Sequence, residues 1–241
     1  MSFYTSLNGL KNAQTDLGVI AHNIANVETM GFKRSNTTFA DVVASSAQTD
    51  PRMVKGIGAT LEAITQNFSL GPIEQTGGAL DIALTGDGFF AMRSVESGKT
   101  LYTRNGAFGI DDAGFVNDGS DNRLQVFPTD ATGTITSTTP VDAWIAPVNA
   151  GGAEFAGVTV GNDGIVSASY ADGSVEIVGT ISLATFISPT GLKQVGSSNW
   201  ESTGISGPAS YGAPGAGQFG SLLSQARSSA RTSTSQRNSW A

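Results

Sequence analysis

The chain has 241 residues, 39% of them hydrophobic, 14% charged and 31 of them glycine. That length allows one large core or two small ones, and low charge with frequent glycine suits short strands joined by many turns. A net charge of −7 without clustered Lys and Arg argues against nucleic acid and against basic attachment to a membrane surface, and zero cysteines exclude disulfides, thiolate catalysis and Cys-based metal centres.

Residues 3–27 carry a helical pattern. Phe3, Leu10, Leu17 and Ile24 recur every seven residues, and Ala13, Ile20 and Val27 do the same three positions later. This is an a/d seam, interrupted where Ser6 takes a d position. Asn8, Lys11, Asn12, Thr15 and Asp16 fall on the opposite face. The stripe fits an amphipathic helix packed on its own domain, and equally a coiled-coil strand awaiting a partner. Gly31, after Asn26 and Thr29, is the expected stop. The first basic residue is Lys11, and no continuous apolar run follows it, so no cleaved secretory signal of that kind is expected. No stretch approaches the roughly 20 apolar residues of a membrane span, so membrane insertion is not expected.

Residues 35–75 read as a connector with short extended pieces around Pro51. From Ala79 the period changes to two. "LDIALTGDGFFAMR" reads as strand, Gly-Asp-Gly turn, strand, with Gly86 and Gly88 in the turn and Phe89 and Phe90 entering the core. In "TLYTRNGAFGI", Asn105-Gly106 is a type I′ hairpin signal. Further strands turn at Asp163-Gly164 and Asp172-Gly173. The expected domains are 1–34 helical, 35–75 connector, 76–200 β-rich, and 201–217 a Gly/Pro/Ser connector. Residues 218–226 begin a C-terminal helix, with Phe219, Leu222, Leu223 and Ala226 on one stripe, and 227–241 form a polar, disordered tail. The fold class is α+β, mainly β. An antiparallel, hairpin-rich β domain is flanked by an N-terminal amphipathic helix and a truncated C-terminal one.

Catalytic chemistry is hard to find. The single histidine, His22, lies within the first helix, where a surface or packing role is expected rather than that of a base. Turn aspartates such as Asp111, Asp118 and Asp163 have a local role in bonding nearby backbone N–H groups. "NDGSDN" lacks the ligand spacing and terminal Glu of a calcium-binding EF-hand loop. "GIGATLEAITQNF" lacks the third glycine of a dinucleotide fingerprint. No catalytic residue, metal or cofactor is expected. A polysaccharide-active enzyme needs paired carboxylates at set distances, and a secreted binding module is the other competing class.

Several long stretches resemble the axial proteins of the bacterial flagellum, the hook and rod family. Residues 6–42 end their helix in Asn-x-Ala-Asn and continue with Thr-x-Gly-Phe-Lys, here Asn23, Ala25, Asn26, Thr29, Gly31, Phe32 and Lys33. Residues 56–92, 102–128 and, more weakly, 181–200 also match, in the same order along the chain. "SFYTSLNGLKNAQTDL" and "RNGAFGIDDAGFVND" look most like hook proteins. Residues 128–155 are too short for the outer domain that hook proteins usually insert there, so a rod protein, proximal or distal, is the alternative.

The resemblance implies a structural, non-enzymatic subunit. Its terminal helices would pair and line a helical tube of copies of the same chain, which links rod to filament and transmits torque for motility. It also implies rod, hook-cap and hook–filament-junction partners, and export through the flagellar type III apparatus to a periplasmic or extracellular site. The seven seam residues would then pack subunits together. The family's C-terminal helix usually continues with a stretch resembling LExSNVDxxxEEL, and "RSSARTSTSQRNSW" is unlike it. Codons can nevertheless be chosen for residues 227–240 so that another frame reads LERSNVDISEELV. A frameshift just after Gln225 is therefore expected, together with a frayed or loosely docked first helix and poor polymerisation.

Overall fold

The computed structural model describes residues 2–44 and 55–228. They fall into two compact units, Met1–Val27 with Lys33–Ser69, and Glu28–Phe32 with Leu70–Ala241.

The first unit is one helix on one β-hairpin. Helix α1 spans Ser2–Ala25; it contains no proline and ends just before Asn26. Strands β1 (Ser35–Ala44) and β2 (Lys55–Gln66) pair antiparallel. The segment read as a connector with short extended pieces holds instead two paired strands of ten and twelve residues. Thr37, Thr38, Phe39, Val42 and Val43 in β1, with Ile57, Leu61, Ile64 and Thr65 in β2, supply the β-branched and aromatic content that sustains them. Bulges interrupt the register at Thr38/Phe39 and Val42/Val43. The part of this segment around Pro51, residues 45–54, lies outside the described residues.

The second unit is all β. Its first half holds β3 (Ile73–Gln75), β4 (Ile82–Thr85), β5 (Phe89–Ser94), β6 (Thr100–Thr103), β7 (Gly109–Ile110), β8 (Val116–Asn117), β9 (Asn122–Phe127) and β10 (Val141–Asp142). Then come β11 (Phe155–Val160), β12 (Ile165–Tyr170), β13 (Val175–Ile181), β14 (Leu183–Thr185), β15 (Lys193–Gly196), β16 (Asn199–Glu201) and β17 (Ser210–Gly212). Strands β18 (Ser221–Ser224) and β19 (Ala226–Ser228) close the described chain. The main sheet runs β11-β12-β13-β9-β5-β6-β16-β15. Its core gathers Phe90, Met92, Leu124, Val126, Val166, Ile181, Leu183 and Leu222. The Asp163-Gly164 and Asp172-Gly173 hairpins form as the sequence predicts, with both glycines at positive φ.

Three expectations are corrected. Asn105-Gly106 does not turn a hairpin: β6 pairs with β5 and β16, whereas β7 pairs with β8. Neither residue has the positive φ that a type I′ turn needs. Gly106 serves close approach instead. Its carbonyl accepts from the Ile82 N–H at 2.8 Å, and a Cβ there would fall 1.6 Å from the Ile82 carbonyl oxygen. Second, β4 and β5 flank the Gly-Asp-Gly turn but do not pair with each other; β4 pairs with β18 and β5 with β6, β9 and β14.

Third, the expected start of a C-terminal helix at 218–226 is a strand. β18 lies antiparallel to β4, with Leu222 opposite Leu84. Leu222 is fully buried and Leu223 is exposed, which is a period of two. The backbone of β4 supplies the reason: Ile82, Ala83 and Leu84 are buried, and β18 is their ladder partner. A helix here would leave the side of β4 that β18 pairs without hydrogen bonds. Gln225, at φ 61°, bends the chain between β18 and β19. Arg227 and Ser228 lie in β19, against Glu74 and Ile73, and the rest of the expected disordered tail, 229–241, lies outside the described residues.

Candidate functional site

The amphipathic α1 docks with its polar side inward. Thr5, Asn8, Asn12, Asp16 and Asn23 share a stripe at helical spacing. The Asn12 amide donates to the Ala59 carbonyl at 2.8 Å. The Thr37 hydroxyl donates to the Asp16 carboxylate. Asn23 uses both ends of its side chain on Ser35: its amide donates to the Ser35 carbonyl at 2.8 Å, and its oxygen accepts the Ser35 N–H at 2.9 Å. The β1–β2 bulge skips Ile57, and the Thr5 hydroxyl donates to the Ile57 carbonyl at 3.4 Å. Gly58 sits at φ 131°, and a Cβ there would lie 3.6 Å from Asn8. Hydrogen bonds hold the helix on its hairpin, rather than its apolar stripe.

The seam therefore faces out. Phe3, Leu10, Leu17 and Ile24 are 65–72% exposed, and Ile20 is exposed too. Ala13 is exposed and Val27 half-buried. This leaves a row of large apolar side chains without cover on a 24-residue helix. Each would gain about 1.5–3 kcal/mol on full burial, an upper figure because part of each is already covered.

The Asn-x-Ala-Asn and Thr-x-Gly-Phe-Lys residues are architectural. Asn23 clamps the start of β1. Ala25 is the last helical residue, and the Asn26 amide donates to the His22 carbonyl at 2.9 Å, satisfying one acceptor of the last turn. The Thr29 carbonyl accepts from the Phe32 N–H. Gly31 is at φ 70°, and a Cβ would meet the Asn105 backbone nitrogen at 2.6 Å. Phe32 and Lys33 are buried, and the Lys33 ammonium donates to the Ser69 carbonyl at 2.8 Å.

The Gly-Asp-Gly turn is likewise built for packing. Gly86 is at φ 104°, with the Gly220 Cα 3.2 Å from where its Cβ would lie, and the Gly220 N–H donates to the Asp87 carbonyl at 2.8 Å. Gly88 is at φ 127°. Phe89 and Phe90 are both fully buried on opposite faces of β5. Phe89 meets Trp200 and Phe186 edge-on, with the Arg104 guanidinium 4.9 Å from its centroid. Phe90 meets Phe108 at 5.3 Å. Burial lowers Arg104 to about 10, and Asp87 opposes the shift. Burial also raises Tyr102, reinforced by the Tyr211 hydroxyl 3.0 Å away. These groups lock strands together.

His22 is exposed on α1. Among the described residues no group of three or more His, Asp or Glu is placed to hold a metal ion. Among the same residues no helix is long and apolar enough to cross a membrane. What sequence reasoning missed was the polar stripe of α1 as the docking face. The recurrence of Asn and Asp at three- and four-residue steps was the available signal.

Comparison with known proteins points to one family. Residues 83–168 match the family model of the flagellar hook protein FlgE/F/G D1 domain, and residues 3–33 that of the flagella basal body rod protein. The flagellar basal-body rod protein FlgG of Bacillus subtilis is 33% identical over 92% of this chain and 81% of its own length. The flagellar hook protein FlgE of Salmonella typhimurium is 42% identical over 46% of this chain, and that of Treponema pallidum 35% identical over 52%. The chain spans only 26% and 29% of those two hook proteins.

Proposed function

The chain belongs to the flagellar hook and rod family and is a structural, non-enzymatic subunit of the flagellar axis, and on that premise we propose that it builds the rod. The observation that carries the rod reading is continuity: the rod relative aligns over 92% of the chain, the two hook relatives over about half of it. The path after β9 supports it. The chain makes only β10 and short turns before re-entering the sheet at β11, so no outer domain interrupts residues 128–155. The hook reading keeps one observation in its favour, the 42% identity to the Salmonella typhimurium hook protein over 113 residues.

In either position the exposed seam Phe3, Leu10, Ala13, Leu17, Ile20, Ile24 and Val27 is the surface on which helices of neighbouring copies, or of other axial proteins, pack. Stacking is heterologous, so it grows a helical tube rather than closing a ring. The hook cap, the hook–filament junction and the flagellar export apparatus are the further partners.

An in-frame deletion with an epitope-tagged copy tests this. On the rod reading, basal bodies from the deletion strain lack a completed rod and any hook, and the tag is found within the rod. Complete rods without hooks favour the hook reading. Retained motility with normal basal bodies overturns both.

A further inference from the structure

One apolar feature of the β unit does nothing for its own fold. Ile187 is 90% exposed and Ile205 80%, the two most exposed large hydrophobics among the described residues. Each sits on a stiff support. Phe186, next to Ile187, packs edge-on against Phe89 and Tyr102. Ser206, next to Ile205, is fully buried; its hydroxyl donates to the Thr203 carbonyl and accepts the Thr203 N–H, both at 2.9 Å. The Thr203 hydroxyl donates to the Gly191 carbonyl at 2.6 Å, and the Ser188 N–H donates to the Ser206 carbonyl, tying the two loops together. The pair is therefore held out in a fixed position, with little ordering left to lose on binding.

The same unit has a receptor of matching chemistry. A hollow of about 410 Å³ is lined by Ile110, Ile145, Pro147, Val148 and Phe155, with Asp111, Asp112 and Glu154 also in its wall. That volume lies within the roughly 300–1,000 Å³ of ligand pockets and exceeds that of two four-carbon side chains. Charge matches as well: exposed Lys193 lies on β15 between the two isoleucines in sequence, while the hollow carries three acids. Ile187 and Ile205 lie on the segments before β15 and after β16, and none of the residues that line the hollow belongs to those segments.

A knob and a hollow built from different residues of one unit form a self-complementary pair that joins copies head to tail. We propose that Ile187 and Ile205 of one copy seat in the Ile110–Ile145–Val148–Phe155 hollow of the next, with Lys193 facing Asp112 and Glu154. This rests on reading the chain as a polymerising subunit and assigns one lateral contact of that polymer to the β unit, separate from the α1 seam.

The chain has no cysteine, so single cysteines report the contact directly. Full-length Ile187→Cys and Val148→Cys chains are mixed at high concentration and oxidised. A mixed disulfide exceeding either same-site disulfide by about tenfold is expected, because seating raises the local thiol concentration for that pair alone. Asp112→Lys with Glu154→Lys in the Val148→Cys chain is expected to remove most of that excess. Same-site disulfides in equal or greater yield overturn the proposal, as does a mixed yield no higher than that of a Thr139→Cys control. Amine cross-linking of the unaltered chain and of Ile187→Asp/Ile205→Asp separates the two readings. Ladders that persist unchanged in the variant leave the subunit reading standing and refute this contact. No ladder in either chain counts against this contact and agrees with the poor polymerisation expected of the altered C-terminus.

Discussion

Asn23→Ala is expected to release α1 from its hairpin, although it removes almost no apolar surface. The side chain makes two partly buried hydrogen bonds to Ser35, at 2.8 and 2.9 Å. Each is worth about 0.5–1.5 kcal/mol net, so the substitution costs about 1–3 kcal/mol of docking. Leu17→Ala is the contrast. The side chain is 65% exposed, so about one third of a leucine's 1.5–3 kcal/mol is at stake, below about 1 kcal/mol. Alanine's better helix propensity offsets part of even that. Hydrogen–deuterium exchange of the monomer reads both effects through the amides of α1 and β1. Asn23→Ala is expected to lower protection by about 5- to 150-fold, the equivalent of 1–3 kcal/mol. Leu17→Ala is expected to leave it nearly unchanged in the monomer while weakening association between copies. The reasoning is refuted if Leu17→Ala loses more monomer protection than Asn23→Ala, for then the apolar face holds the helix.

Gly106→Ala places a methyl 1.6 Å from the Ile82 carbonyl and is expected to cost about 3 kcal/mol or more, seen as a large drop in the urea midpoint of the β unit; a midpoint within error of the parent contradicts the close approach. Leu222→Ala is expected to cost about 2–5 kcal/mol and Leu223→Ala far less, because β18 buries the first and exposes the second; equal costs would restore the helix. The Ser174 hydroxyl and N–H, helped by the Asn149 amide, hold the Asp172 carboxyl below its usual value. Its contribution to the β12–β13 turn is therefore present at neutral pH and lost as pH falls through that lowered pKa. Carboxyl NMR should show titration below the ordinary aspartate value of about 3.9, moving up in Ser174→Ala; titration at or above that value discounts the turn bonds. The DNA after the Gln225 codon is expected to encode LERSNVDISEELV in another frame, and sequencing it to find no such reading removes the frameshift.

The sequence by itself determined the class of the molecule and its family. The a/d stripe, the change of period near Ala79 and the Asp-Gly turns are local signals, and each reads the same in any surroundings. The family motif also lay open, in residues such as Asn23, Gly31 and Phe32, because it is a contiguous pattern of residue types, although the backbone that Gly31 approaches, at Asn105, lies far along the chain. Only the tertiary structure decided which face of α1 turns inward, because both faces had a plausible partner and the deciding carbonyls, those of Ser35, Ile57 and Ala59, lie in another element. It also decided the fate of "GQFGSLLSQA". Phe219, Leu222 and Leu223 fit a helix and a strand equally well by spacing, and the exposed ladder edge of β4, about 140 residues earlier, needed the strand. Asn105-Gly106 shows the same limit: a residue pair suited to a turn is also the pair that lets two backbones touch, and local chemistry does not say which use a distant segment will make of it.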